Sequence, residues 1–142
     1  MLLIRGAELG DDRTLQRIYV ESAASSGVLT PVSAASSTFR QTTQGERVVV
    51  AYSPDETILG FVSVFEPDAF IHHLYVAPKN QNQGVGKELL NSLNSWLPLP
   101  WHLKCVEANM RALRFYFREG WVKIEVAQGP DGSYALLRKS VA

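Results

Sequence analysis

Cysteine is almost absent from this chain: Cys105 is the only one in 142 residues. An intramolecular disulfide and a cysteine-rich metal site are therefore excluded. A surplus of one charge is missing too. Lys plus Arg and Asp plus Glu both total 14, so the formal net charge is zero. No global basic field exists to attract a nucleic acid or an anionic membrane, and neither partner is expected. Long hydrophobic runs are also lacking. No stretch approaches the roughly 20 apolar residues of a membrane span, and the N-terminal Met1-Leu2-Leu3-Ile4-Arg5 lacks the apolar core of a signal peptide. A cytoplasmic protein is the default expectation. No Gly-x-Ser-x-Gly element marks a serine hydrolase. No repeat or linker divides the sequence, so residues 1–142 are read as one domain.

What is present is ordinary globular material, 46% hydrophobic and 20% charged, which argues for a packed core and against disorder. Residues 2–4 read as a strand, and Asp11 or Asp12 can cap a helix carrying Leu15, Ile18 and Tyr19 at helical spacing. Residues 22–43, rich in Ser, Thr and Ala, read as a loop or weak helix: a site wall or a plain connection. Residues 47–52 and 58–65 are β-rich runs around the turn Ser53-Pro54-Asp55-Glu56, which predicts a hairpin. Residues 70–76 read as another strand. Leu89, Leu90, Leu93, Trp96 and Leu97 then form a helical stripe that Pro98 and Pro100 stop. Residues 103–106 predict a short strand and residues 110–119 a helix ended by Gly120. Residues 121–126 alternate, with Val122, Ile124 and Val126 on one face, and pair through Gly129-Pro130-Asp131-Gly132 with a last strand at 134–139. The order predicts an α/β domain with a mixed, mostly antiparallel central sheet flanked by helices. Residues 70–106 would form a β-α-β unit with its one parallel pair.

Between the strand at 70–76 and the following helix lies the polar turn Ala77-Pro78-Lys79-Asn80-Gln81-Asn82-Gln83-Gly84-Val85-Gly86-Lys87. Glycines at 84 and 86 remove the Cβ atoms that would hold a ligand off the backbone. The amide hydrogens of the helix start and its macrodipole then suit a phosphate or diphosphate. A helix start shaped only for packing would look similar. Two familiar phosphate motifs fail. Gln81 stands where a Walker loop needs Gly, Glu88 follows Lys87 in place of Ser or Thr, and Leu89 fills the third small position of a dinucleotide fingerprint.

The pattern Gln81-x-x-Gly84-x-Gly86 resembles the pyrophosphate-binding motif of the GNAT family of N-acetyltransferases, Arg/Gln-x-x-Gly-x-Gly/Ala. Leu74-Tyr75-Val76-Ala77-Pro78 supplies the apolar–x–Val strand end and the proline that precede it there. A second block, Asn109-x-x-Ala112-x-x-Phe115-Tyr116-x-x-x-Gly120-Trp121, is similar to the family's Asn-x-x-Ala-x-x-Phe-Tyr-x-x-x-Gly-Phe, with Trp for Phe. More loosely, Ile4-Arg5-x-Ala7 and Ile58-Leu59-Gly60-Phe61-Val62 fit as well. The turn departs from many relatives in having no Arg, only Lys79 and Lys87 among Gln and Asn.

The resemblance implies a GNAT-like fold and transfer of an acetyl group from acetyl-CoA to a primary amine of a small molecule or peptide, without a metal. It places the coenzyme where the strands at 70–76 and 103–106 splay apart. Its contacts would be Leu74, Tyr75, Val76, Gln81, Asn82, Gln83, Gly84, Val85, Gly86, Lys87, Asn109 and Tyr116. Asn109 equally suits a helix N-cap. Tyr116 matches the family tyrosine beside the coenzyme sulfur and is the candidate acid, with packing beside Phe115 and Phe117 as the alternative. An alkylamine, with a pKa of roughly 10.4, must first lose a proton. His72 is the preferred base on its position before the apolar–x–Val pattern, with His73 or a water chain as alternatives. Adjacent on a strand, the two histidines are expected to face opposite sides and to make no metal pair. Cys105 reads as a buried small residue. Homodimers are common in the family, so a homodimer is an open expectation. The competing reading is a non-catalytic module that senses acetyl-CoA.

Overall fold

The computed structural model describes residues 2–25, 38–130 and 132–141. Strand β1 (Leu3–Gly6) leads through a short 3-10 turn into helix α1 (Asp12–Ser25). Asp11 caps that turn by accepting from the Glu8 amide at 2.8 Å and pairs with Arg5 at 2.7 Å. The Arg5 guanidinium holds the Asp11 carboxyl below its ordinary range. A short helix, α2 (Phe39–Thr42), precedes β2 (Arg47–Tyr52), β3 (Ile58–Phe65) and β4 (Phe70–Val76). Then follow α3 (Val85–Ser92), β5 (Trp101–Val106), α4 (Met110–Arg118), β6 (Val122–Gly129) and β7 (Gly132–Lys139). Of the expectation for residues 22–43, the ends of α1 and α2 are seen; residues 26–37 lie outside the described residues.

One seven-stranded sheet runs β1-β2-β3-β4-β5-β7-β6. Every pairing is antiparallel except β4–β5. The expected mixed, mostly antiparallel sheet with one β-α-β unit is thus observed. Its two faces carry separate cores. On one, Val62, Val64 and Ile71 pack with Leu89, Leu90, Leu93, Leu113 and Trp121 under α3 and α4. On the other, Val50, Phe61 and Ala77 pack with Leu15, Ile18 and Tyr19 of α1 and with Phe39 of α2. Buried alternate residues on both faces explain why β3 is buried from Ile58 to Val64, almost all of it apolar, with only Phe65 exposed.

Two expectations need correction. The α3 stripe was expected to stay helical up to Pro98, yet α-helix stops at Ser92 and a 3-10 turn takes over at Leu93–Ser95. The hydroxyls of Ser92 and Ser95 bond back to the carbonyls of Leu89 (2.6 Å) and Ser92 (3.0 Å), loosening the ladder. In β6 the alternation is broken, because the register with β7 shifts between Lys123 and Glu125. On this edge strand Val122, Ile124 and Val126 are all exposed.

Candidate active site

The pairing of β4 with β5 stops almost as soon as it begins. Only Phe70↔His102 and Ile71↔Leu103 are in register, after which β5 continues alongside β7. From His72 to Val76 one edge of β4 therefore borders an open wedge. The Ala77 amide donates to Leu59 on β3 at 2.8 Å. Because backbone groups alternate along an antiparallel strand, those of Tyr75 also face β3, and those of Leu74 and Val76 face the wedge. The Val76 carbonyl there accepts from the Ser22 hydroxyl (3.0 Å) and the Gln81 amide (3.3 Å). With that carbonyl taken, the Leu74 amide and carbonyl and the Val76 amide are the groups this edge offers to an extended ligand.

The chain turns from this edge into α3 through two left-handed residues, Asn82 (φ 63°) and Gly84 (φ 82°). Gly84 needs its glycine for that conformation, and a Cβ there would point into open space. Gly86 differs: its Cβ would meet Phe115 Cζ at 3.5 Å and Val76 Cγ2 at 3.8 Å. The two glycines expected to share one role differ: Gly84 is required by its left-handed backbone, whereas a Cβ at Gly86 would make ordinary contact with α4 and β4. The first helical bond runs from the Glu88 amide to the Gly84 carbonyl at 3.0 Å. The amides of Val85, Gly86 and Lys87 consequently have no partner within the helix. The side chain of Val85 is buried, so only its backbone can meet a ligand. Gln81 and Gln83 turn their amide groups back onto Val76 and Lys79, bracing the turn. Lys79 and Lys87 are exposed beside it. Asn80 keeps a buried Oδ1 without a hydrogen-bond partner, an acceptor still open at the turn. Open amides, a cleared Cβ position and two lysines are the donor set a diphosphate needs.

The histidines depart from expectation. The register between β3 and β4 shifts, with Ser63 opposite His73 and Val64 opposite Ile71, so His72 is an extra residue in β4. This bulge cancels the strand alternation. Both rings lie on one side, stacked with centroids 4.0 Å apart and planes at 26°. His73 also packs against Tyr75 (5.6 Å) and edge-on to Tyr19 (5.5 Å), and its Nε2 is buried without a partner. Burial, with the neighbouring His72 adding to it, pushes its pKa down to about 3. His72 is more exposed and places Nδ1 2.7 Å from a carboxylate oxygen of Glu46. The other Glu46 oxygen accepts from the hydroxyl of buried Ser63. Neither Glu46 nor Ser63 was singled out from the sequence. The partners lie 26 and 17 residues from Glu46, and no local pattern couples such positions.

Tyr116 comes from α4 and is buried between Phe115 (5.3 Å) and Trp121 (5.7 Å). Burial pushes its phenol well above the usual range, and nearby Cys105 and Tyr75 raise it further. Those neighbours belong to β5 and β4, which places Tyr116 by both arms of the wedge. Asn109 caps α4, its Oδ1 accepting from the Ala112 amide at 3.2 Å. Cys105 is buried, and burial pushes its thiol up to about 11, as a packing residue requires. Two surface cavities lie away from the wedge. One of about 620 Å³ lies between β1, β2 and the residues from Asn91 to Trp96 at the end of α3. Another, of about 270 Å³, reaches Glu46 from Phe39 and Thr43. The unpaired strand edge is the better guide, because an extended ligand seeks hydrogen bonds as well as volume. Among the described residues no three His, Cys, Asp or Glu side chains are grouped to hold a metal, and no helix is long and apolar enough to cross a membrane.

Comparison with known proteins agrees with this geometry. A family model described as an acetyltransferase (GNAT) domain matches residues 44–123, more than half of the chain. No match is found among curated proteins. Among solved structures, apo YjaB from Escherichia coli aligns with TM-score 0.81 at 17% identity over 100% of this chain and 99% of its own. A GNAT-family acetyltransferase from Desulfovibrio desulfuricans aligns with TM-score 0.75 at 21% identity, covering both chains fully (100% each). The PaiA N-acetyltransferase of Thermoplasma acidophilum, solved with coenzyme A, aligns with TM-score 0.76 at 18% identity over 99% of each chain. At these identities the structures speak to the fold.

Proposed function

Because the chain belongs to the GNAT acetyltransferase family, whose members use acetyl-CoA, we propose that it acetylates a primary amine of a small molecule or peptide. The observation that carries the reading is the continuity of the site. The unpaired edge of β4 runs from the apex of the wedge directly into the open amide cluster at the start of α3. Acetyl-CoA supplies an activated acetyl thioester. The amides of Val85, Gly86 and Lys87 would hold its diphosphate. Leu74 and Val76 would take its pantetheine arm as an added strand, with Asn109 beside it. A backbone amide of this edge would polarise the thioester carbonyl, a contact that strengthens as negative charge develops. His72 would take the proton of the incoming amine. Tyr116 would give a proton to the departing thiolate.

The test is acetyl-CoA with a panel of primary amines: an alkylamine, a diamine, an aminoglycoside, an amino acid amide and a lysine peptide. Release of free thiol dependent on one of them is expected. Tight coenzyme A binding without thiol release on any amine would overturn the reading and point to a sensor.

A further inference from the structure

We infer that Glu46 is a positioning residue for amine deprotonation: it locks the His72 ring with hydrogen on Nδ1 and a basic Nε2 at the apex of the wedge. This inference rests on the acetyltransferase reading above and adds a residue to it. A carboxylate only accepts, so the 2.7 Å contact assigns the hydrogen to Nδ1 and leaves Nε2 as the proton acceptor. The carboxylate is itself fixed. Its second oxygen is held by the buried Ser63 hydroxyl, and its own amide donates to the Thr43 carbonyl at 2.9 Å. The Glu46 side chain is only 9% exposed whereas that of His72 is 42% exposed, so the pair has a sheltered anchor and an accessible end. The stack on His73, 4.0 Å between centroids, restricts rotation of the ring. The bulge places His72 one residue beyond the last β4–β5 pair, where the strands part.

In the reaction the acceptor ammonium gives one proton to Nε2, and the resulting imidazolium keeps its Nδ1 hydrogen bond to Glu46. The freed amine lone pair forms the C–N bond, the C–S bond breaks, and the sulfur takes its proton from Tyr116. A second amine proton then passes to solvent, leaving a neutral amide; the imidazolium releases its proton to solvent and the Tyr116 phenolate regains one, so that one proton is released per turnover and both side chains are restored.

Two measurements on the full chain test this. Nitrogen-15 NMR of the imidazoles, with His72 assigned by its loss in His72→Asn, should show the Nδ1–H tautomer in the wild type and a shift towards Nε2–H in Glu46→Ala. A wild type already in the Nε2–H form would overturn the inference. In turnover, Glu46→Ala should lower kcat at least tenfold with coenzyme A affinity unchanged. Glu46→Ala combined with His72→Asn should be no slower than His72→Asn alone. Losses that multiply, or an undiminished kcat in Glu46→Ala, would overturn it. Should Glu46→Ala fail to fold, Glu46→Met fills the space without a hydrogen-bond acceptor of carboxylate strength and the same comparison is made with it. A wild type inert towards the whole panel defeats the acetyltransferase reading and the catalytic role here together. An active wild type with an indifferent Glu46 variant defeats this inference alone.

Discussion

The carbonyl oxygen of Tyr75 lies 2.7 Å from where a Cβ on Gly60 would stand, and Val85 Cγ1 lies 3.3 Å from the same point. A glycine in the middle of β3 is thus what seats the start of α3 against β4, and with it the amides proposed to hold the diphosphate. Gly60→Ala should cost about 1–3 kcal/mol of stability through overpacking against backbone. Coenzyme A affinity should fall with it. Urea unfolding and calorimetric titration on the same preparation check both, and an alanine variant as stable as wild type would contradict the account.

Gly84 separates binding from stability. Asp tolerates left-handed backbone better than most residues, the Cβ position is open, and a carboxylate at a helix N-cap is favourable. Gly84→Asp should therefore stay folded, with about 1–2 kcal/mol lost to the left-handed backbone, a cost that Gly84→Asn shares. It should nevertheless lose coenzyme A affinity by about tenfold or more, roughly 1.4 kcal/mol, because its charge faces the diphosphate. Gly84→Asn, of similar shape without the charge, should lose less.

Tyr116→Phe should keep the packing against Phe115 and Trp121 and remove only the hydroxyl. Turnover is expected to fall by about 100-fold, at the lower end of what acid catalysis contributes. Coenzyme A affinity should stay within about twofold. Steady-state kinetics with a product-release control decide it, and unchanged kcat would remove Tyr116 as the acid.

His73 predicts a pH dependence of stability. Its folded pKa, about 3, lies below the ordinary 6.5, so between those values the unfolded chain binds the extra proton. Stability from this residue is complete above 6.5 and declines as pH falls towards 3, by at most about 1.4 kcal/mol per pH unit. Between pH 7 and pH 5 the loss should be about 2 kcal/mol. His73→Phe, which keeps a ring beside Tyr19 and Tyr75, should flatten that part of the profile in urea unfolding at the two pH values. An unchanged slope would show that His73 titrates freely.

The sequence by itself determined the order of elements and the strand–turn–helix that forms the coenzyme corner, because both are local. β-branched runs, Ser53-Pro54 and Gly84 act within a few residues of themselves. The strand at 70–76 stands as expected, and Asn109 caps its helix. Only the tertiary structure decided the rest. Whether a histidine faces its neighbour's side depends on register with β3, and one extra residue in β4 brought His72 and His73 together where alternation would part them. Gly84 and Gly86 look alike in sequence, yet one meets space and the other meets Phe115. Glu46, Ser63 and His72 are scattered along the chain and meet because β3 and β4 lie side by side with the turn that enters β2. Spacing encodes what the backbone does next, whereas the company a side chain keeps is fixed when distant segments pack.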